Sequence, residues 1–174
     1  MLSDFNFLAT TSRGSEREAC EELSYLFKEI GDSTVRLERT GVAGLIAVKT
    51  SLDPFEAIEK LRKILVERSY EFRYALRIIP VEKVVHTDLE EIQRVATELS
   101  SRIGKSETFR ITVEKRFTTI HAQSIIEAAA ANIKHKANLV KPDKILLIEV
   151  VGGLTGISIV KPDDVLSVMK ESIL

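Results

Sequence analysis

Basic residues are the side chains most able to do chemistry in this sequence, and they are concentrated between positions 102 and 144. This segment contains nine Lys or Arg residues against four Asp or Glu residues, a local charge of +5, although the 174-residue chain as a whole carries −1. A basic surface of this kind can bind phosphate groups. The residues predicted to make such contacts are Arg110, Lys115, Arg116, Lys134, Lys136 and Lys141 and, earlier in the chain, Arg77 and Lys83.

A structural explanation competes with phosphate binding for part of this set. The dipole of a helix favours cations in its last turn, which would account for Lys134 and Lys136 without any ligand. It does not account for Arg110, Lys115, Arg116 or Lys141. Nucleic-acid binding therefore remains open on charge alone.

Aromatic residues near the basic segment are few, and Phe109 and Phe117 are the nearest. Stacking on the bases of a single strand therefore has little support in the sequence. Recognition of the shape and phosphates of a folded RNA fits the composition better.

The other reactive side chains form no catalytic or metal-binding pattern. His86, His121 and His135 are scattered and lack the spacing of metal ligands. Cys20 is the only cysteine and lies in the apolar stripe of a helix, so we expect it in the core. Nucleophile elbows and glycine-rich phosphate loops of the known patterns are missing. We predict no metal, no cofactor and no enzymatic activity.

Two loops and one acidic residue leave alternatives open. The loop Thr11–Ser15 could hold a phosphate, but Ser15 and Glu18 also have the spacing of a helix capping box. The glycine-rich loop 152–156 reads as a hairpin turn. Glu149 interrupts an apolar strand, so it either pairs with Lys115 or Arg116 or lies on an exposed face of the sheet.

Hydrophobic periodicity places elements around these residues. In the first 80 residues it predicts strands at 5–10, 34–39, 44–50 and 70–80, with helices opening at Ser15 and at Asp53-Pro54. The order is β-α-β-β-α-β, as in ferredoxin-like folds. In the second part, a Thr87–Glu90 capping box opens a helix that ends at Gly104, and a second helix is predicted over 119–137. Strands are predicted at 108–116, 144–151 and 157–160, and a short helix follows Pro162.

Composition is typical of a globular protein, with 44% hydrophobic and 29% charged residues. No apolar run approaches the roughly 20 residues of a membrane helix. The N-terminal residues lack the features of a secretory signal, so a cytoplasmic protein without membrane contact is expected.

Several segments resemble THUMP domains. Arg77-Ile-Ile-Pro80-Val resembles the junction that enters such a domain, and Thr108–Arg116 is similar to its strand ending in Lys-Arg. Leu139-Val-Lys-Pro142-Asp143, followed by an apolar strand ending in Glu149-Val, resembles the later half. The opening strand with Gly14-x-Glu16 is similar to the ferredoxin-like domain that precedes THUMP domains.

The resemblance implies an α/β (α+β) fold, with an N-terminal ferredoxin-like βαββαβ half (residues 1–80) packed on a C-terminal THUMP-like half (residues 81–174). It also implies tRNA binding. Since we expect no catalytic domain, it suggests a non-catalytic adaptor that presents tRNA to a separate RNA cytidine acetyltransferase, which forms 4-acetylcytidine. Alternatives are an RNA-binding subunit of a different modification enzyme, or a ferredoxin-like regulatory protein that binds a small molecule. The sequence leaves the oligomeric state open.

Overall fold

A computed structural model describes residues 2–171, which form two sheets and five helices. The elements in chain order are β1 (Phe7–Thr10), α1 (Glu16–Glu29), β2 (Arg36–Arg39), β3 (Leu45–Lys49), α2 (Pro54–Glu67), β4 (Arg77–Pro80), β5 (Lys83–His86), α3 (Leu89–Leu99), β6 (Phe109–Arg116), α4 (Ala122–Ala130), β7 (Lys144–Val151), β8 (Leu154–Val160), β9 (Leu166–Ser167) and α5 (Val168–Glu171). The predicted α+β class is confirmed.

The chain divides into two compact units. Unit 1 contains the described residues up to 81 together with 164–171, and unit 2 contains residues 82–163. Residues 164–171 were predicted to belong to the second half. They lie in unit 1 because β9 pairs with β4, with Ser167 opposite Arg77.

Unit 1 has the predicted order β-α-β-β-α-β, followed by β9 and α5. Its sheet runs β2-β3-β1-β4-β9, and every pair is antiparallel. Apolar side chains of α1 and α2 form a core with those of the sheet, and the rings of Phe7 and Phe27 meet edge-on at 5.6 Å. Cys20 is half-buried and packs against this core. Burial raises the pKa of its thiol, which keeps the sulfur protonated at neutral pH.

Local signals explain the start of α2 but not that of α1. Asp53 accepts a hydrogen bond from Glu56 N at 3.0 Å, and Pro54 occupies the first helical position, as predicted. The capping box predicted at Ser15 is wrong, because Ser15 makes no side-chain cap hydrogen bond and is not extended. The neighbouring Glu16 carboxylate instead accepts from Gly44 N at 2.8 Å.

The strand predicted over 70–80 is shorter, since only residues 77–80 pair as β4. The Glu22 carboxylate accepts hydrogen bonds from the backbone N–H groups of Arg73, Tyr74 and Ala75 at 2.6–3.1 Å. These donors therefore point to α1 and not to a neighbouring strand. The Glu22 carboxylate, 51 to 53 positions away in the chain, thus keeps residues 73–75 out of the strand.

Unit 2 is a four-stranded sheet in the order β5-β8-β7-β6, with α3 and α4 packed together on it. β7 lies in the interior of the sheet, as its apolar sequence predicts, and pairs in parallel with β6. Side chains from both helices, including Ile92 and Ile125, bury Leu146 and Ile148 of β7. β6 is thus an edge strand of the described sheet.

Two helix predictions in unit 2 need correction. α3 is capped by Asp88, which accepts from Glu90 N at 2.8 Å and Glu91 N at 3.1 Å, and not by Thr87. α4 ends at Ala130 instead of continuing to 137. The chain after it turns to run beside the start of β6, where Phe109 N donates to Lys136 O and Asn138 N donates to Phe109 O.

Candidate functional site

Five basic residues of unit 2 lie along the edge strand β6 and the segment that pairs with its start. We call them the basic edge: Arg110, Lys115, Lys134, Lys136 and Lys141. Arg110 and Lys115 belong to β6, and the three other lysines belong to the segment between α4 and β7. The lysines are exposed, and Arg110 is half-exposed.

The segment between α4 and β7 is fixed to β6 by hydrogen bonds. Phe109 N donates to Lys136 O at 3.1 Å, and Asn138 N donates to Phe109 O at 2.9 Å. The Arg110 guanidinium donates through Nη1 to Leu139 O at 3.1 Å. Asn138 Oδ1 then accepts from the backbone N–H groups of Val140 and Lys141, which makes a tight turn. The cations at this end of β6 are therefore carried on an ordered backbone.

The far end of this segment is anchored at Asp143. Its carboxylate accepts hydrogen bonds from Thr108 N at 2.8 Å and from Thr108 Oγ1 at 3.0 Å. These bonds lower the pKa of Asp143, the backbone donor most strongly, so the carboxylate stays ionised. Asp143 thus serves the backbone and does not form an ion pair with the exposed lysines, as judged over the described residues.

Lys115 stands at the opposite end of β6 from the other members of the basic edge. It lies five positions after Arg110, about 17 Å at the usual rise per residue, and this odd spacing places the two side chains on opposite faces of the strand. Its Nζ donates to Ile120 O at 3.1 Å, which holds the ammonium over the loop between β6 and α4. The charges therefore extend along the strand and do not form one compact cluster.

Arg116 has a different role from its neighbours. Its Nη1 lies 2.7 Å from Glu149 Oε2, and the two side chains are only 18% and 4% exposed. The interpretation that Glu149 pairs with a basic residue on the adjacent strand is confirmed, and of the two candidates Arg116 is the partner. A buried carboxylate needs this compensation, so Arg116 is committed to the sheet.

The same distinction divides the basic segment as a whole. Arg102, Arg116 and Lys144 form ion pairs with Glu82, Glu149 and Glu107. The other six basic residues of the segment have no carboxylate oxygen of residues 2–171 within 4.0 Å of their side-chain nitrogens. They are Lys105, Arg110, Lys115, Lys134, Lys136 and Lys141. Structural pairing thus accounts for a third of the cations and leaves the basic edge available to a ligand.

The last two predicted contacts lie elsewhere. Lys83 is exposed on β5, at the opposite edge of the unit 2 sheet from β6. Arg77 is exposed on β4 of unit 1, between Thr10 and Ser167 of the adjacent strands. Neither belongs to the basic edge, and their contact with phosphate stays a prediction.

Two backbone N–H groups and one hydroxyl of the loop Thr11–Ser15 are used in hydrogen bonds within the protein. Thr11 N donates to Gly44 O, Ser15 N donates to Ser12 O, and Thr11 Oγ1 donates to Tyr74 O. These donors are therefore not free for a phosphate. Within residues 2–171, no group of three His, Cys, Asp or Glu side chains converges as a metal site would require.

Phe117 is a further candidate binding residue, which the sequence indicates only weakly. This ring is 76% exposed, and its backbone has a φ of +57°, which favours glycine. It borders an open cleft of about 660 Å³. Its position directly after Lys115-Arg116 is the only signal in the sequence, because backbone conformation and exposure become visible only in three dimensions.

The fold recurs in solved structures at low sequence identity. A crystal structure of PH1313 from Pyrococcus horikoshii is 20% identical with a TM-score of 0.59, and the match covers 89% of this chain and 54% of that one. A predicted N6-adenine-specific DNA methylase from Listeria monocytogenes is 13% identical with a TM-score of 0.53, covering 89% and 40%. A 4-thiouridine synthetase in complex with RNA and ATP is 16% identical with a TM-score of 0.52, covering 91% and 42%.

These matches concern the fold. The chain spans about half or less of the length of each structure. No protein-family model and no curated protein sequence matches it. Two sheets and five helices in this arrangement match the α+β, THUMP-like fold expected from the sequence.

The prediction that the protein is not an enzyme is contradicted by the comparisons. Two of the three structures are described as a methylase and a synthetase, so this fold also occurs in enzymes. The lack of a recognisable nucleophile and base in the sequence does not make the protein a non-enzyme. As for membranes, every helix in the described part of the chain is too short or too polar to span a bilayer.

Proposed function

We propose that the chain binds folded RNA, and specifically tRNA, through the basic edge of unit 2, and that it does so in tRNA modification. The observation that carries the proposal is the row of cations along β6 that lacks carboxylate partners within the described residues. Uncompensated, ordered cations along a strand can follow the phosphates of a nucleic acid. An RNA complex among the structures with this fold adds support.

The spacing of the charges favours a folded RNA over a small anion. Lys115 and Arg110 are about 17 Å apart along β6 and lie on opposite faces of this edge strand, a span that exceeds the size of a single phosphate group or a metabolite. An RNA that covers the edge of the sheet can place phosphates beside both. A small molecule would instead require convergent polar groups in one enclosed pocket.

The finer proposal concerns the reaction that follows RNA binding. We propose that the bound tRNA is presented to an RNA cytidine acetyltransferase, which forms 4-acetylcytidine. The resemblance of the segments around Arg77, Lys115 and Glu149 to THUMP domains, whose stand-alone members include adaptors of that enzyme, supports this proposal. Comparing acetylation, thiolation and methylation of the same tRNA, each with and without the chain, tests the proposal. Stimulation of thiolation or methylation alone would refute the acetyltransferase.

The RNA-binding proposal is tested by removing charge in matched sets. One variant combines Lys134→Ala, Lys136→Ala and Lys141→Ala, and its control combines Lys28→Ala, Lys60→Ala and Lys63→Ala, three exposed lysines of unit 1. The tRNA dissociation constant is measured for each protein by fluorescence anisotropy at several salt concentrations.

We expect the basic-edge variant to bind more weakly and to lose up to about three units of the slope of log K against log salt, roughly one per phosphate contact. The control loses the same net charge, but it should keep the wild-type slope because its three lysines lie in unit 1, outside the basic edge. Equal affinity and equal slope for the two variants would refute the basic edge as the binding surface.

A further inference from the structure

An exposed aromatic ring stands beside an open cleft at the C-terminal end of β6 in unit 2. Phe117 follows the last strand residue, and its side chain is 76% exposed. The cleft is open to solvent and has a volume of about 660 Å³. It is lined by Phe117, Thr118, Thr119, Ile120, Thr87 and the glycines of the β7–β8 hairpin.

The backbone at Phe117 adopts an unfavourable conformation. Its φ of +57° is the one positive value among the non-glycine residues of the described chain. A side chain other than glycine costs free energy there, and the surrounding structure must impose it. Gly152 N donates to Arg116 O at 2.8 Å, and Thr118 Oγ1 accepts from Ile120 N at 3.2 Å, so both sides of Phe117 are held. The fold therefore maintains an aromatic ring in solvent at a cost.

Part of the cleft lining is the backbone of the turn between β7 and β8. A Cβ built on Gly152 or Gly153 meets no atom of the described residues within 4 Å, so both glycines face open space. Thr87 fixes this turn, since its Oγ1 donates to Gly152 O at 2.8 Å and its N donates to Gly153 O at 2.9 Å. A flat ligand can thus approach the backbone closely in this rigid part of the cleft.

A cation borders the site. Lys115 Nζ donates to the carbonyl oxygen of Ile120, one of the cleft residues, at 3.1 Å. The cleft therefore offers an aromatic face and the side chains of Thr118 and Thr119, with an ammonium group at its border. Stacking surface, hydrogen-bonding groups and positive charge in one place suit a nucleotide, whose base is flat and whose phosphate is anionic.

We propose that Phe117 stacks on an unpaired nucleobase of the bound RNA, with the base in this cleft and the adjoining phosphate near Lys115. The inference rests on the proposed RNA-binding function and makes it more specific. It also corrects the expectation from the sequence that the protein recognises only the shape and the phosphates of the RNA. The chain then prefers RNA that carries unpaired nucleotides beside a helix over RNA that is fully paired.

The experiment uses tryptophan as a local probe. The chain contains no Trp, so Phe117→Trp places a single tryptophan in the cleft. Its emission is followed during titration with a two-stranded RNA duplex that has a single-stranded extension and with the same duplex ending blunt at both ends. Binding of both RNAs is measured in parallel by anisotropy. We expect the extended RNA to quench the tryptophan by stacking and the blunt RNA to leave it unchanged.

Affinity gives a second readout. Phe117→Ala should weaken binding of the extended RNA by about 5- to 150-fold, the range for loss of one stacked base, and leave the blunt RNA unaffected. Tyr70→Ala is the matched control, because Tyr70 is an aromatic residue of unit 1 that is 66% exposed. Phe117→Tyr should retain the affinity of the wild type.

The outcomes separate the two proposals. Suppose that both RNAs bind, that the emission of Phe117→Trp responds equally to both, and that Phe117→Ala weakens neither more than the other. Stacking is then refuted, and RNA binding by the basic edge stands. If neither RNA binds at any salt concentration, the proposed function fails and the stacking site fails with it.

Discussion

Replacing Arg116 by Ala tests whether this residue stabilises the sheet or contacts RNA. Its guanidinium lies 2.7 Å from the Glu149 carboxylate, whose side chain is only 4% exposed. Arg116→Ala takes the cation away from this carboxylate in the interior of the sheet. Lys115→Ala is the matched control, since Lys115 is adjacent in sequence and exposed.

The expected loss of stability follows from burial. Removing one partner of a buried ion pair costs about 3–5 kcal/mol, because the remaining charge is desolvated without its counterion. Arg116 retains 18% exposure and Glu149 is held by a further interaction, so we expect the lower end of this range, about 3 kcal/mol. For a chain of this size, that loss lowers Tm by about 6–12 °C.

The assay is thermal unfolding at neutral pH without RNA, followed by circular dichroism. Lys115→Ala should change Tm by no more than about 2 °C, as is usual for an exposed side chain. Adding Glu149→Gln to Arg116→Ala should recover part of the loss, because the uncompensated charge is removed. If Arg116→Ala melts together with the wild type, the reasoning is refuted and Arg116 belongs with the residues free to bind RNA.

Other predictions concern stability in unit 1 and helix capping. Asp32 is buried; burial by itself raises the pKa of its carboxyl, but hydrogen bonds from Thr50, Ser51 and Thr34 outweigh this and hold the pKa well below its usual value. A lowered folded-state pKa stabilises the protein above the unfolded pKa of about 4, and this stabilisation is lost as pH falls further. Asp32→Asn should therefore lower Tm at pH 7, and the gap to the wild type should narrow by pH 3; a constant gap would contradict this. Asp88→Ala should cost about 1 kcal/mol through loss of the α3 cap, measured by urea unfolding, whereas Ser15→Ala should cost less than about 0.5 kcal/mol. Equal losses for the two would contradict the assignment of caps.

Sequence alone was sufficient where the relevant physics is local. The order β-α-β-β-α-β of unit 1, the cap of α2 at Asp53 and the interior position of β7 follow from periodicity, capping chemistry and an apolar run. The excess of positive charge between 102 and 144 is likewise a property of composition. The element order and the cap depend on residues close together in the chain, and the charge excess depends on composition alone. No long-range contact needs to be known for any of them.

Tertiary structure decided which of these cations remain available. Arg116 meets Glu149, which is 33 positions away in the chain, because β6 and β7 pair in parallel with Glu114 opposite Glu149. The Glu22 carboxylate binds the backbone N–H groups of residues 73–75, so these residues do not pair as a strand. The backbone of Phe109 forms hydrogen bonds with the segment after α4, so this segment does not continue the helix. Phe117 takes its conformation from the neighbouring hairpin. Composition fixes how many charges and rings a chain has, but only the register and packing of distant segments determine which are neutralised, which are buried and which face a partner.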